Sequence, residues 1–195
     1  MKNRICFFDL ETKYAFVDLE KGWEGLTFDQ KEAKRQSLIP KMGLATGCVI
    51  SEDKSDEAYY FDEGQEDELI KKLDSFDMII GHNVLRFDYL VLSPYYRSDI
   101  IKRFEPKTFD TFDYLKKATG RFVKLDDLAK LNLNSEKTMV PIMAPQLWRS
   151  GKREEVRSYC KNDVELLRKI YLLGKKQKAL KYKEYDTVKE VKVNW

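Results

Sequence analysis

The chain has 195 residues, 43% of them hydrophobic and 35% charged, which suits one folded domain and excludes a disordered polymer. A net charge of +3 is too small to argue for a polyanionic partner by itself. No apolar run approaches the roughly 20 residues that cross a bilayer, the amino-terminal apolar stretch is broken at once by Asp9 and Glu11, and Cys6, Cys48 and Cys160 are too scattered for a disulfide or zinc framework; together these predict a cytoplasmic protein with no membrane association.

Residues 4–10 (RICFFDL) form a short aromatic-rich apolar run that predicts a buried first strand. Residues 13–43 follow as a long charged insertion, expected as loop. Two further strands are expected at 44–51 and 57–62, joined by the polar turn EDKSD, then a helix at 65–75 carrying Leu69, Ile70 and Leu73. Met78-Ile79-Ile80 closed by Gly81 reads as a fourth strand entering a turn. Residues 84–93 repeat apolar positions at helical spacing, with Asn83 as their expected N-cap. A strand is expected near 108–112, short helices near 113–118 and 125–131, and a loop over 132–150 with Pro141 and Pro145. The longest periodic segment, about 153–173, places Val156, Tyr159, Cys160, Val164, Leu167, Ile170 and Tyr171 on one stripe. The folded domain is expected over 1–176, followed by a basic tail at 177–195 whose VKEVKVNW suits a late strand. Strands in hairpin-like succession, then alternating with helices, predict an α/β fold: a mixed sheet with helices on both faces.

The chemical signal lies in acids set on buried stripes, where an unpaired charge is costly. Asp9 and Glu11 are two apart on the first strand, so both side chains leave one face, at the C-terminal end where open α/β sheets take their ligands. Asp88 falls among Val84, Phe87, Val91 and Leu92; Asp163 falls between Tyr159 and Leu167. Tyr159 precedes Asp163 by four residues and shares its helical face. A strand ending in polar residues would explain Asp9 and Glu11, and a salt bridge or stripe-edge position would explain Asp88 or Asp163 alone, but convergence on one site accounts better for all four. Such a group repels itself unless cations neutralise it. Hard oxygen donors favour Mg2+ or Mn2+, and two ions about 4 Å apart suit phosphodiester hydrolysis.

FDLET at 8–12 and the preceding Phe7, GHNVLRFDYLVL at 81–92 and YCKNDVELL at 159–167 resemble, in order and spacing over about 160 residues, the three motifs of the DEDD, or DnaQ-like, 3′–5′ exonucleases of the ribonuclease H-like superfamily. The third motif reads Tyr-x-x-x-Asp, which resembles the DEDDy subgroup, with ribonuclease D and the proofreading domains of DNA polymerases. The combination with LWRSGKREEVRSYCKNDVELL is most similar to bacterial YprB-like predicted exonucleases.

The resemblance implies a five-stranded ribonuclease H-like mixed sheet and a two-metal-ion 3′–5′ exonuclease acting on 3′ ends of single-stranded DNA or RNA. Asp9, Glu11 and Asp163 would bind the catalytic ion, with Asp9 bridging to a second ion supported by Asp88, and Tyr159 would orient the attacking water. Leu10, Thr12 and Asn83 would meet the terminal nucleotide. A helicase or polymerase is the kind of protein partner it implies. His82, the only histidine, is expected in a structural turn. Two alternatives stand beside this reading: a catalytically weak nucleic-acid-binding module of the same fold, and an endonuclease or short-oligonucleotide phosphodiesterase.

Overall fold

The computed structural model describes residues 4–53, 57–134 and 143–195; parts of the expected turn at 52–56 and of the expected loop at 132–150, with Pro141, lie outside them. Strand β1 (Ile5–Thr12) is the spine of a five-stranded sheet ordered β3-β2-β1-β4-β5. It pairs antiparallel with β2 (Leu44–Ser51), which pairs antiparallel with β3 (Ala58–Asp62). On its other side it runs parallel to β4 (Met78–Gly81), which runs parallel to β5 (Thr108–Asp110). The sheet is therefore mixed, and the fold is α/β.

Burial on both faces explains why β1 is apolar without alternation. Cys6, Phe8 and Leu10 face a core that includes Leu69 and Leu73 of α3 (Glu66–Asp74), Val91 and Leu92 of α4 (Asp88–Leu92), and Phe104 of α5 (Ile100–Phe104). Phe7, with Ile50 and Ile80 beside it on the neighbouring strands, faces Cys160, Val164, Leu167 and Tyr171 of the long helix α9 (Arg153–Gln177). Between these, α6 (Thr111–Thr119) and α7 (Leu125–Leu133) follow β5, and α8 (Ala144–Arg149) precedes α9.

Several expectations need correction. Residues 13–43 hold two helices, α1 (Phe16–Leu19) and α2 (Phe28–Leu38), then a 3-10 turn at Ile39–Lys41. In α2 the Thr27 hydroxyl accepts from the Gln30 amide while the Gln30 side chain takes the Thr27 N–H, a reciprocal cap. The expected loop after 132 contains α8, and α7 runs to Leu133. The helix expected at 84–93 begins only at Asp88, with Phe87 in the cap position. Asn83 is not its cap: Asn83 has φ +73°, a left-handed turn that asparagine tolerates. After Lys178 the chain forms a hairpin, β6 (Ala179–Glu184) and β7 (Thr187–Lys192), packed on α7 and α9 through Leu180, Tyr182, Val191 and Val193. Trp195 stacks on Tyr171 and donates its indole N–H to the Tyr171 carbonyl. A Cβ at Gly174 would lie 2.5 Å from that indole, so the close approach requires glycine there.

Candidate active site

The site forms where β1 and β4 part. Their pairing ends at Phe7 with Ile80, while β4 continues beside β5 to Gly81. Leu10 N–H, beyond the last pair, would be a buried orphan donor; the Asp88 carboxylate accepts it at 3.1 Å. A Cβ on Gly81 would fall 2.3 Å from a Val84 methyl, so this glycine permits the tight turn that returns the chain to β1.

Asp9 and Glu11 project from the face of β1 that α9 covers, opposite Cys48 and Thr46 of β2. The register slips between Glu11 and Thr12, an irregularity of the kind that re-aims side chains at the end of a strand. Helix α9 is acidic in its first turn and basic in its last, as the helix dipole favours, and its apolar stripe sits on the sheet. Asp163, 6% exposed, interrupts that stripe above Asp9 and Glu11. One carboxylate oxygen from each of Asp9, Glu11 and Asp163 lies within 4.8 Å of the others. Two oxygens in trans on Mg2+ stand about 4 Å apart, so small inward movements suffice for this hard-donor set to hold a divalent cation.

Asp88 does not join that trio. It is 3% exposed and bound to the Leu10 amide, and burial, reinforced by the nearby charge of Asp110, pushes its carboxyl up to about 7. Tyr159 is buried one turn before Asp163 on α9, in a cluster with Val156 and with Trp148 of α8. Cys160, beside them, points its thiol at the Asp9 carbonyl, 3.4 Å away, and burial holds it protonated.

Two cavities meet the acids. One, about 280 Å³, is bordered by Asp9 and Asp163, by His82 and Asn83 of the β4 turn, and by Lys124 and Asp126 at the start of α7. The other, about 350 Å³ and apolar, is walled by Leu10, Glu11, Thr12, Phe16, Met42 and Phe87. Thr12 is buried and donates to the Tyr14 carbonyl. His82 Nε2 donates to the Val123 carbonyl and Nδ1 meets the Thr111 hydroxyl at 2.9 Å, so the ring braces the turn as expected. Phe87, expected in the core, is half-buried and borders the apolar cavity.

Sequence reasoning missed Asp110, whose carboxylate organises the turn. Its Oδ1 accepts from the amides of Asn83 (2.8 Å), Phe112 (3.0 Å) and Asp113 (3.3 Å), and its Oδ2 from Leu85 (3.1 Å). It caps α6 and holds the β4 turn at once; burial nonetheless raises its pKa. Its position at a strand-to-helix junction was the available signal. Also missed were two clamps. Arg157 of α9 is paired with Asp62 of β3 and with Glu154, and Arg149 of α8 grips Asp18 of α1 through both terminal nitrogens, at 2.9 and 3.0 Å.

No protein-family profile matches the chain, and no curated protein does. Among solved structures it is similar to the family B DNA polymerase from the hyperthermophilic archaeon Pyrobaculum calidifontis, with a TM-score of 0.54 and 14% identity, covering 90% of this chain and 24% of the polymerase chain. This chain thus spans about a quarter of that protein's length. At that identity the likeness carries the fold, and the α/β architecture with its five-stranded mixed sheet is consistent with the ribonuclease H-like type. Among the described residues no helix is long and apolar enough to cross a membrane.

Proposed function

We propose that this chain is a metal-dependent 3′–5′ exonuclease of the DEDDy kind, cleaving phosphodiester bonds at the 3′ ends of single-stranded DNA or RNA. The observation that carries the reading is the convergence of Asp9, Glu11 and Asp163 within 4.8 Å, from two elements far apart in sequence. Likeness to a DNA polymerase structure agrees with the resemblance, which includes the proofreading domains of such enzymes.

In this reading Asp9, Glu11 and Asp163 would hold the catalytic cation, and Asp88 would help to hold a second beside Asp9. The Leu10 N–H at the Asp88 carboxylate then serves to fix its orientation. Mg2+ or Mn2+, when bound, would supply positive charge for the attacking water and the leaving oxygen. Tyr159, buried one turn from Asp163, orients the water by a hydrogen bond. The apolar cavity beside Glu11 takes the terminal base, with Leu10 and Thr12 on its wall, and Asn83 at the turn meets the sugar–phosphate.

Digestion of 5′-labelled single-stranded DNA and RNA with Mg2+ or Mn2+ tests this. A one-nucleotide ladder, lost in Asp9→Ala and strongly slowed in Tyr159→Phe, is expected. A single internal cut would replace stepwise trimming with an endonuclease, and no Asp9-dependent cleavage by the folded protein would remove the enzymatic reading.

A further inference from the structure

A groove of about 720 Å³ lies beside the β4 turn, between two walls that sequence reasoning left unconnected. One wall is α2: Phe28, Glu32, Arg35 and Gln36 fall at positions i, i+4, i+7 and i+8, one helical stripe turned toward the groove. The other is α6 and the segment after it, with Phe112, Lys116 and Phe122. Asn83 borders both this groove and the cavity holding Asp9 and Asp163. Phe16 and Phe87 border both the groove and the apolar cavity beside Glu11. The three spaces thus adjoin one another.

Its lining combines rings with cations. Phe112 stacks on Phe122 at 5.5 Å with an interplanar angle of 18°. Lys116 lies 4.6 Å over the Phe122 ring. Phe122 is 64% exposed and, across the groove, Phe28 is 72% exposed. Two large rings so exposed on opposite walls of one groove, with Phe112 beside Phe122, form the kind of apolar surface that marks an interaction site. Three cations, Arg35, Arg86 and Lys116, line it against one carboxylate, Glu32, and Arg86 is also paired at 2.9 Å with Asp113 of α6. Arg35 is paired with that carboxylate at 3.7 Å, an exposed contact worth little and readily exchanged for a phosphate.

We infer that this groove is a binding track for an unpaired polynucleotide strand, with bases stacking on Phe28 and Phe122 and phosphates meeting Arg35, Arg86 and Lys116. Exposed faces of rings reach the faces of bases only when the strand is unpaired, and stacking tolerates any sequence. The inference rests on the proposed nuclease reading for which end of the strand enters the acids; the affinity of the groove does not depend on it.

The test is fluorescence anisotropy of labelled single strands of about a dozen nucleotides in EDTA, where binding is read without metal or cleavage. Wild type is compared with Phe28→Ala and Phe122→Ala, whose melting temperatures, being surface changes, should hold. Each should weaken binding about tenfold. Arg35→Gln and Lys116→Gln should each lower the slope of log affinity against log salt by about 0.7, the value for one lost phosphate contact on a single strand. Unchanged affinity in both phenylalanine variants, or a wild type that binds no strand, would overturn the track. Weakened binding without any Asp9-dependent cleavage in Mn2+ would leave the track standing and refute the nuclease; Asp9-dependent cleavage with groove variants unaffected would do the reverse.

Discussion

Replacing Asp110 separates the hydrogen-bonding role of its carboxylate from its charge. Asp110→Ala removes the acceptor for four backbone amides. Loss of the α6 cap costs about 1 kcal/mol, and the amides of Asn83 and Leu85, partly buried, cost about 1 kcal/mol each when left unpaired. The sum is about 3 kcal/mol. Asp110→Asn behaves differently, because three of the amides converge on Oδ1 and one on Oδ2. An asparagine that keeps its carbonyl at Oδ1 retains the three and sets its NH2 against the Leu85 N–H, donor to donor. It also removes a charge that burial disfavours, as the raised pKa of Asp110 indicates. A cost near 1 kcal/mol follows. Urea unfolding with an unchanged m-value measures both. Equal losses in the two variants, or an alanine variant within about 0.5 kcal/mol of wild type, would refute the view that this carboxylate holds the β4 turn by directional bonds.

Adding Mg2+ or Mn2+ at about 100 times its dissociation constant should stabilise the protein by about 2.7 kcal/mol, reversibly with EDTA and not in Asp163→Asn; an equal thermal shift in that variant would place the ion elsewhere. Trp195→Ala removes an indole stacked on Tyr171 and packed against Phe109 and Tyr114, and should cost about 2–3 kcal/mol for a partly buried aromatic; a loss below 1 kcal/mol in chemical denaturation would mean the carboxyl-terminal hairpin is not part of the folded unit. Asp74 is held below the usual carboxylate range by Arg103, which grips it at 2.7 and 2.8 Å, with Lys107 adding to the effect. A depressed folded pKa gives stability that is present above the unfolded value and lost as pH falls through the folded one, so the gap between wild type and Asp74→Asn, about 0.5 kcal/mol after allowance for solvent screening, should close below about pH 4. A gap that persists at lower pH would assign the effect to packing.

The order of strands along the chain and the paired acids of β1 were legible because their signals are local. Phe7, Phe8 and Leu10 mark a strand buried on both faces, and Asp9 and Glu11 stand out against them by parity alone. In α9 the 3.6-residue stripe is long enough to make Asp163 conspicuous, and Tyr159 lies one turn away by geometry. Helix α2 was not legible from apolar spacing, since only Leu38 is buried along it; its signal was the Thr27–Gln30 cap instead. Lysines on the outer face of β6 obscured the alternation of Leu180 and Tyr182, which only its packing on α7 makes meaningful.

Tertiary structure alone decided the rest. The acids of β1 meet Asp163 because α9 crosses the same face of the sheet, a contact over more than 150 residues of chain. Asp88 reaches Leu10 because β4 leaves β1 and frees one amide that burial requires to be paired. The groove belongs to no segment at all: Phe28 and Phe122 are ordinary exposed rings until packing sets α2 opposite α6. Local sequence can specify which side chains an element presents, but the space between two elements is fixed by burial summed over the whole core.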